Sequence, residues 1–291
     1  MKNKKPKISV LTANKNGSKY LEETIQSIKN QTFKNFEHII VDAESTDNSL
    51  EIIKKYPHIR YISEKDNGIA EGFDKAFQMS KGDYIMQMSV SDCYKSKNWF
   101  AECVKVLDDN KDVSLVWGSG EIIDEKGNTK EIWAEKFLKI LPPQKKDFFF
   151  YMLISYGYLP ELNYCIRKEV FEKCLPDVSL PNYHLVYHNH INLNFNLKGY
   201  LPYYLPIIAH KGRVHSGQAS EALRLEYKKI YKDIRITQIK YLFNLITSKS
   251  IHSYRDGESN IIDKLSRKNF FKIIYKILKS LFINFYLKIR F

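Results

Sequence analysis

The chain has 291 residues, 44% of them hydrophobic, and a net charge of +13; that is enough for one large core with an appendage, and too apolar and too regular for a disordered chain. The positive surplus suits an anionic membrane or a phosphorylated substrate. No zinc-finger spacing, helix-turn-helix pattern or RNA-binding signature accompanies it, which sets nucleic acid aside. Cys93, Cys103, Cys165 and Cys174 stand far apart with no CxxC, the usage of a reducing compartment.

Residues 7–12 and 36–42 are short β-branched apolar runs that stop at polar clusters, Thr12-Ala13-Asn14 and Asp42-Ala43-Glu44-Ser45-Thr46-Asp47. Buried parallel strands deliver polar side chains to the carboxyl edge of an α/β sheet in this way, and such edges bind ligands. Further strands fit 59–63, 83–88 and 113–117. Between them Leu21, Ile25 and Ile28 make one helical face, Ile69, Phe73, Ala76 and Phe77 a second, and Phe100, Val104 and Leu107 a third. The alternation calls for a mostly parallel sheet with helices on both sides. Ser45 and Asp47 are accounted for by helix capping, which does not need Asp42. Asp66 divides evenly between cap and ligand. Asp92 is a lone carboxylate after the fourth strand, where a departing diphosphate would need its charge offset.

Beyond residue 118 the pattern is irregular. It predicts a hairpin around Asp124–Asn128, a loop at Pro142-Pro143, an aromatic stretch at 148–151, a strand and short helix over 163–174, and a helix over 185–198 closed by Gly199. His184, His188, His190, His210 and His215 cluster within this half; any one of them suits a buried structural role, and as a group they suit base or ligand chemistry. Residues 1–218 are expected to form the main domain and 219–291 a helical extension. From Lys264 onward there are eight basic residues and no acidic one. Lys268, Lys272, Lys276 and Lys279 fall within an arc of about 80°, opposite Phe270, Ile274, Ile277, Leu278 and Leu281. Such a helix suits an anionic membrane interface; a helix packed on the main domain with a solvated lysine face is the alternative. With no signal segment and no apolar run of the ~18–20 residues that span a bilayer, the expectation is a cytoplasmic protein, peripheral on the inner membrane face.

Over roughly residues 6–220 the chain resembles the inverting family 2 glycosyltransferases of GT-A fold. The likeness rests on Ile8–Gln31, Phe36–Leu50, Glu64–Asp92, Asn163–Cys174 and the Arg-x-His segment Arg213–Ser220, in the family's order and spacing. It implies a nucleotide-sugar donor (UDP-sugar favoured), a divalent metal (Mn²⁺ or Mg²⁺) and direct displacement with inversion at the anomeric carbon. The acceptor would be a glycan or lipid-linked hydroxyl in bacterial capsule or lipopolysaccharide synthesis. By that likeness Thr12, Ala13, Asn14, Asp42, Glu44, Asp66, Gly68, Ser91, Asp92, Arg213 and His215 border the donor, with Asp92 and His215 at the metal.

Two departures accompany it. The acidic motif that carries two or three carboxylates in the family reads Ser89-Val90-Ser91-Asp92 here. The family's basic aspartate falls near His188-Asn189-His190, and Ser179–Leu205 holds no Asp or Glu. His188 is therefore the expected base, with His190 or His184 behind it. A relative that binds nucleotide sugar or partner enzymes without turnover is the competing reading. A dinucleotide oxidoreductase is not, since no G-x-G-x-x-G follows the first strand.

Overall fold

The computed structural model describes residues 5–132, 163–178, 183–198, 200 and 202–216. The loop and aromatic stretch expected at 142–151, the cap at Gly199 and the extension over 219–291 with its basic helix lie outside the described residues.

The first half alternates as its periodicity predicts: β1 (Ile8–Asn14), α1 (Ser18–Lys29), β2 (Phe36–Asp42), α2 (Ser49–Lys54), β3 (Ile59–Ser63), α3 (Ile69–Met79), β4 (Tyr84–Gln87), β5 (Cys93–Tyr94) and α4 (Trp99–Asp109). There follow β6 (Leu115–Ile123), β7 (Thr129–Ile132), β8 (Tyr164–Arg167), α5 (Lys168–Cys174), α6 (Tyr183–Leu197) and β9 (Pro202–Arg213). Among the described residues no helix is long and apolar enough to cross a membrane.

Strand order is β3-β2-β1-β4-β8-β6-β9-β5, with β7 on β6. The first four strands are parallel. The sheet then turns mixed, because β8 slots antiparallel between β4 and β6, and β6 runs parallel to β9. The expectation of a mostly parallel sheet therefore holds only for the half that carries β1 to β4. The 113–117 strand is real, but it is separated from β4 by a strand that arrives from residue 164.

Both faces of β1, β2 and β4 are covered over most of their length, which is why apolar residues dominate them, whereas β3 is the edge strand and exposes Tyr61 and Ser63. Leu11, Ile39 and Val41 pack with Phe73, Phe77, Phe171, Tyr187 and Phe195 on one face. Ile8, Val10 and Met86 pack with Trp99, Phe100 and Leu107 on the other. The alternation of Val10 and Leu11 between the two cores is the two-residue period of a strand. Ile69, counted in an apolar helical face, is the first residue of α3 and is 40% exposed. The hairpin at Asp124–Asn128 forms, with the Asp124 N–H donating to the Asn128 carbonyl at 2.9 Å and Gly127 at φ +87°.

Candidate active site

Backbone strain marks one rim of the sheet. Among the described residues the non-glycine positions with positive φ are Asn16 (51°), Glu44 (49°) and Ser91 (91°). They follow β1, β2 and β4. Gly68, at φ 129°, follows β3. Every strand of the parallel half is thus followed, within its carboxyl-edge loop, by a residue with positive φ. Such conformations cost about 1–3 kcal/mol each at non-glycine residues and gather at functional rims.

Parallel register sets Asn14 beside Asp42 and Asp42 beside Ser63. The buried Asp42 carboxylate accepts the Asn14 Nδ2 amide (2.6 Å), the Ser45 hydroxyl (2.6 Å) and backbone N–H (3.0 Å), and the Ser63 hydroxyl (2.8 Å). Four donors fill the usual acceptor positions of a carboxylate, so Asp42 first of all organises three strand ends. Thr12, expected to meet the donor through its hydroxyl, lies a layer deeper. Its side chain is fully buried and Oγ1 is 3.1 Å from His38 Nε2, an imidazole that burial, aided by His58, pushes down to about 3. The exposed rim at this corner is Ala13, half-buried, and Glu44, exposed.

Asp47 receives the N–H groups of Ser49 (3.0 Å) and Ser18 (2.9 Å), the first residues of α2 and α1. Burial would raise its pKa, but these bonds prevail and hold it at about 2. A depressed folded-state pKa contributes stability that is present above the unfolded value and is lost as pH falls through the folded one. Asp47→Asn is accordingly expected to flatten the acid limb of unfolding between about pH 4 and 2, read by circular dichroism; an unchanged limb would remove this carboxylate from acid denaturation.

After β3, Asp66 Oδ1 accepts the Gly68 N–H at 3.0 Å, and Glu71 Oε2 accepts both amides of Asn67. Gly72 lets this turn close against β1: a Cβ there would stand 2.9 Å from the Ala13 Cβ and 3.2 Å from Asp66 Oδ2. Asp66 is thus held beside Ala13 through a local turn to Gly68, the N-cap residue of α3, and α3 itself has no side-chain cap.

After β4, the Ser89–Asp92 loop meets the end of β9. Asp92 Oδ1 accepts the Arg213 backbone N–H at 2.9 Å, and the Asp92 carbonyl accepts the Thr24 hydroxyl at 2.7 Å. Arg213, expected at the donor, gives its guanidinium to protein acceptors: the carbonyls of Ser91, Asp124 and Glu125 (3.2 Å each) and Glu23 Oε2 (2.6 Å). The guanidinium also lies 4.8 Å over the Tyr20 ring, whose centroid is 5.2 Å from that of His215. Burial lowers the His215 pKa, Lys19 and Arg213 add to the effect and Glu125 opposes it, so near-neutral pH favours the uncharged ring that can ligate a metal. Among the described residues no three His, Cys, Asp or Glu side chains form a metal-ligand set. Asp92 and His215 supply one carboxylate and one imidazole, fewer protein ligands than a resident ion takes.

His188 and His190 both ride on α6, two residues apart and so on different faces. His188 packs edge-on against Phe73 at 5.4 Å. Both its ring nitrogens are buried without a hydrogen-bond partner among the described residues, and burial pushes it down to about 4. His190 is half-buried and shifted down for the same reason. Nothing is described of the His184 side chain. Sequence reasoning missed Asp74, whose Oδ1 accepts the Tyr187 hydroxyl at 3.0 Å from 113 positions away. Burial pushes this carboxyl up to about 6. It also missed Glu23, Tyr20 and Ser63, which lie within ordinary helix and strand patterns and carry no local signal.

A parallel half-sheet continued by mixed strands, with acids at successive strand ends on one rim, is the GT-A arrangement. The chain belongs to glycosyl transferase family 2, whose family model matches residues 9–175. It is 36% identical over 141 residues to an uncharacterized glycosyltransferase of Methanocaldococcus jannaschii, covering 46% of this chain and 48% of that one. It is 30% identical over 127 residues to a chondroitin synthase of Escherichia coli, 42% of this chain and 18% of that one. It thus spans about half the length of these curated relatives or less. In structure it is similar to residues 1–349 of S. aureus TarS in complex with UDP-GlcNAc, with a TM-score of 0.55 at 15% identity over 93% of this chain and 79% of that one, a likeness of fold.

Proposed function

We propose that the chain transfers a sugar, with inversion, from a nucleoside-diphosphate donor to a hydroxyl of a glycan or lipid-linked acceptor in bacterial surface-polysaccharide synthesis. The observation that carries this reading is the rim itself: the ends of four parallel strands and the loops after them, each loop with a positive-φ residue, carry Asp42, Asp66 and Asp92 at the carboxyl edge. A uridine donor is favoured, in keeping with the UDP-GlcNAc held by TarS. Base and ribose then fall against the Ala13-Asn14 and Asp66–Gly68 turns with Glu44 at the margin, and the diphosphate against Ser91, Asp92 and His215. When bound, a divalent cation held by Asp92, His215 and the diphosphate would offset charge on the leaving group. Residues 1–218 act as the transferase domain in this reading. In the same proposal the run of basic residues from Lys264 onward meets an anionic membrane surface on the cytoplasmic side.

His188 is the proposed base for the acceptor hydroxyl. At neutral pH its imidazole is uncharged and able to accept a proton, and among the described residues neither nitrogen has a hydrogen-bond partner. Function and packing separate cleanly at such a residue. Replacing an unpartnered buried imidazole by leucine is close to neutral or stabilising for the fold, whereas loss of a general base costs about 10²–10⁴-fold in rate. His188→Leu is therefore expected to melt no lower than the parent and to lose transfer by that factor; near-parental turnover would move the base to His190 or His184. A donor panel scored for both binding and transfer tests the whole reading. Binding of nucleoside diphosphate without turnover of any donor would favour a non-catalytic relative, which the single carboxylate at Asp92 also suits.

A further inference from the structure

A second polar cluster, outside the Asp42 corner, is built around Arg213. Its side chain is 4% exposed and pairs with Glu23, 51% exposed, at 2.6 Å. The two come from β9 and α1, 190 positions apart. The guanidinium spans three separate pieces of chain: Nε to the Ser91 carbonyl, one terminal nitrogen to the Asp124 and Glu125 carbonyls, the other to Glu23. Glu23 in turn accepts from the Cys93 thiol at 3.5 Å through its other oxygen. The residue immediately before Asp92 is Ser91, held at φ 91°, a conformation that persists only where its surroundings over-determine it. Arg213 does so on both sides: its guanidinium takes the Ser91 carbonyl, and its backbone N–H takes the Asp92 carboxylate.

We propose that Arg213 is a positioning residue anchored by Glu23, and that the pair sets where the Ser91-Asp92 turn stands instead of touching the donor. A planar fork with fixed donor directions can hold carbonyls from different segments in one geometry, which a lysine cannot. The charge of Glu23 keeps the fork pointed inward, since a buried guanidinium without its acid would turn toward solvent. The consequence for ligand binding rests on the transferase reading, because it takes Asp92 as the diphosphate end of the site. The clamp itself does not.

The test uses the full chain and the variants Glu23→Gln and Arg213→Lys. Hydrogen exchange is read at the amides of residues 89–93 and 213–216. Affinities for UDP with Mn²⁺ and for UMP are measured alongside. Glu23→Gln is expected to speed exchange in those segments about tenfold, the scale of one charge-assisted hydrogen bond. Exchange in β1 and β2 should stay as it is. UDP–Mn²⁺ affinity should fall by a similar factor and UMP affinity should hold within about twofold, since the Asp42 and Asp66 turns are untouched. Arg213→Lys should act in the same direction and more strongly. Unchanged exchange in the turn overturns the clamp, and an equal loss of UMP and UDP overturns positioning in favour of general destabilisation. A parent chain that binds neither nucleotide overturns the transferase reading and the positioning role with it, leaving exchange to decide the clamp.

Discussion

Asp92→Asn is expected to lower sugar transfer by about 10²–10³-fold, the loss seen when one preorganised group facing developing charge is removed. Asparagine keeps an Oδ1 acceptor for the Arg213 N–H, the 2.9 Å bond that joins the β4 and β9 ends. The melting temperature should therefore stay near that of the parent chain. In the proposed transferase reading the substitution removes charge at the diphosphate end, so the deficit should appear in single-turnover transfer and in Mn²⁺-dependent nucleotide affinity together. Transfer within about threefold of the parent would take Asp92 out of the reaction.

Phe73→Ala should give the largest loss of stability, about 3–5 kcal/mol as for other buried aromatic truncations. Phe73 is fully buried. Its ring stacks 6.3 Å from Tyr187 at an 8° interplanar angle and meets His188 edge-on at 5.4 Å. It is thus the surface on which α6 leans where His188 stands. Urea unfolding measures the loss; transfer, corrected for the folded fraction, measures the displacement of the helix. Phe77→Ala is the control. It opens a cavity of the same kind beside Phe171, at 5.1 Å, away from the histidine. Equal activity losses in the two variants, once corrected for folding, would detach α6 placement from catalysis.

Legibility in the sequence followed burial. The strands β1, β2 and β4 are buried along most of their length, so each left a mainly apolar run closed by a polar group, and Asp42, Asp66 and Asp92 could be picked out as groups at or after strand ends. At the sheet edge, β3 was legible from its β-branched and aromatic residues. The helix over 183–197 and the turn at Asp124–Asn128 carried local signals of the same kind. Thr12 was legible as a strand end but not as a buried hydroxyl, because its partner, His38, arrives from β2, 26 positions away. β5 is two residues long, paired only through β9, and a segment that short has no period to read. Arg213 looked like a ligand residue because an arginine before a histidine offers no sign of which acceptors will reach it.

The sequence by itself determined the alternation of strands and helices, the side of the sheet on which its acids emerge, and the absence of a carboxylate on α6. These are consequences of period, burial and residue type, which are local. Tertiary structure alone decided that β8 enters between β4 and β6, that Glu23 and Arg213 close around the Ser91-Asp92 turn, and that Asp74 reaches Tyr187. Each of those joins segments far apart in the chain. Their pairing is set by the free energy of burying a charge or a strand edge with a partner, and no short window of sequence contains both partners.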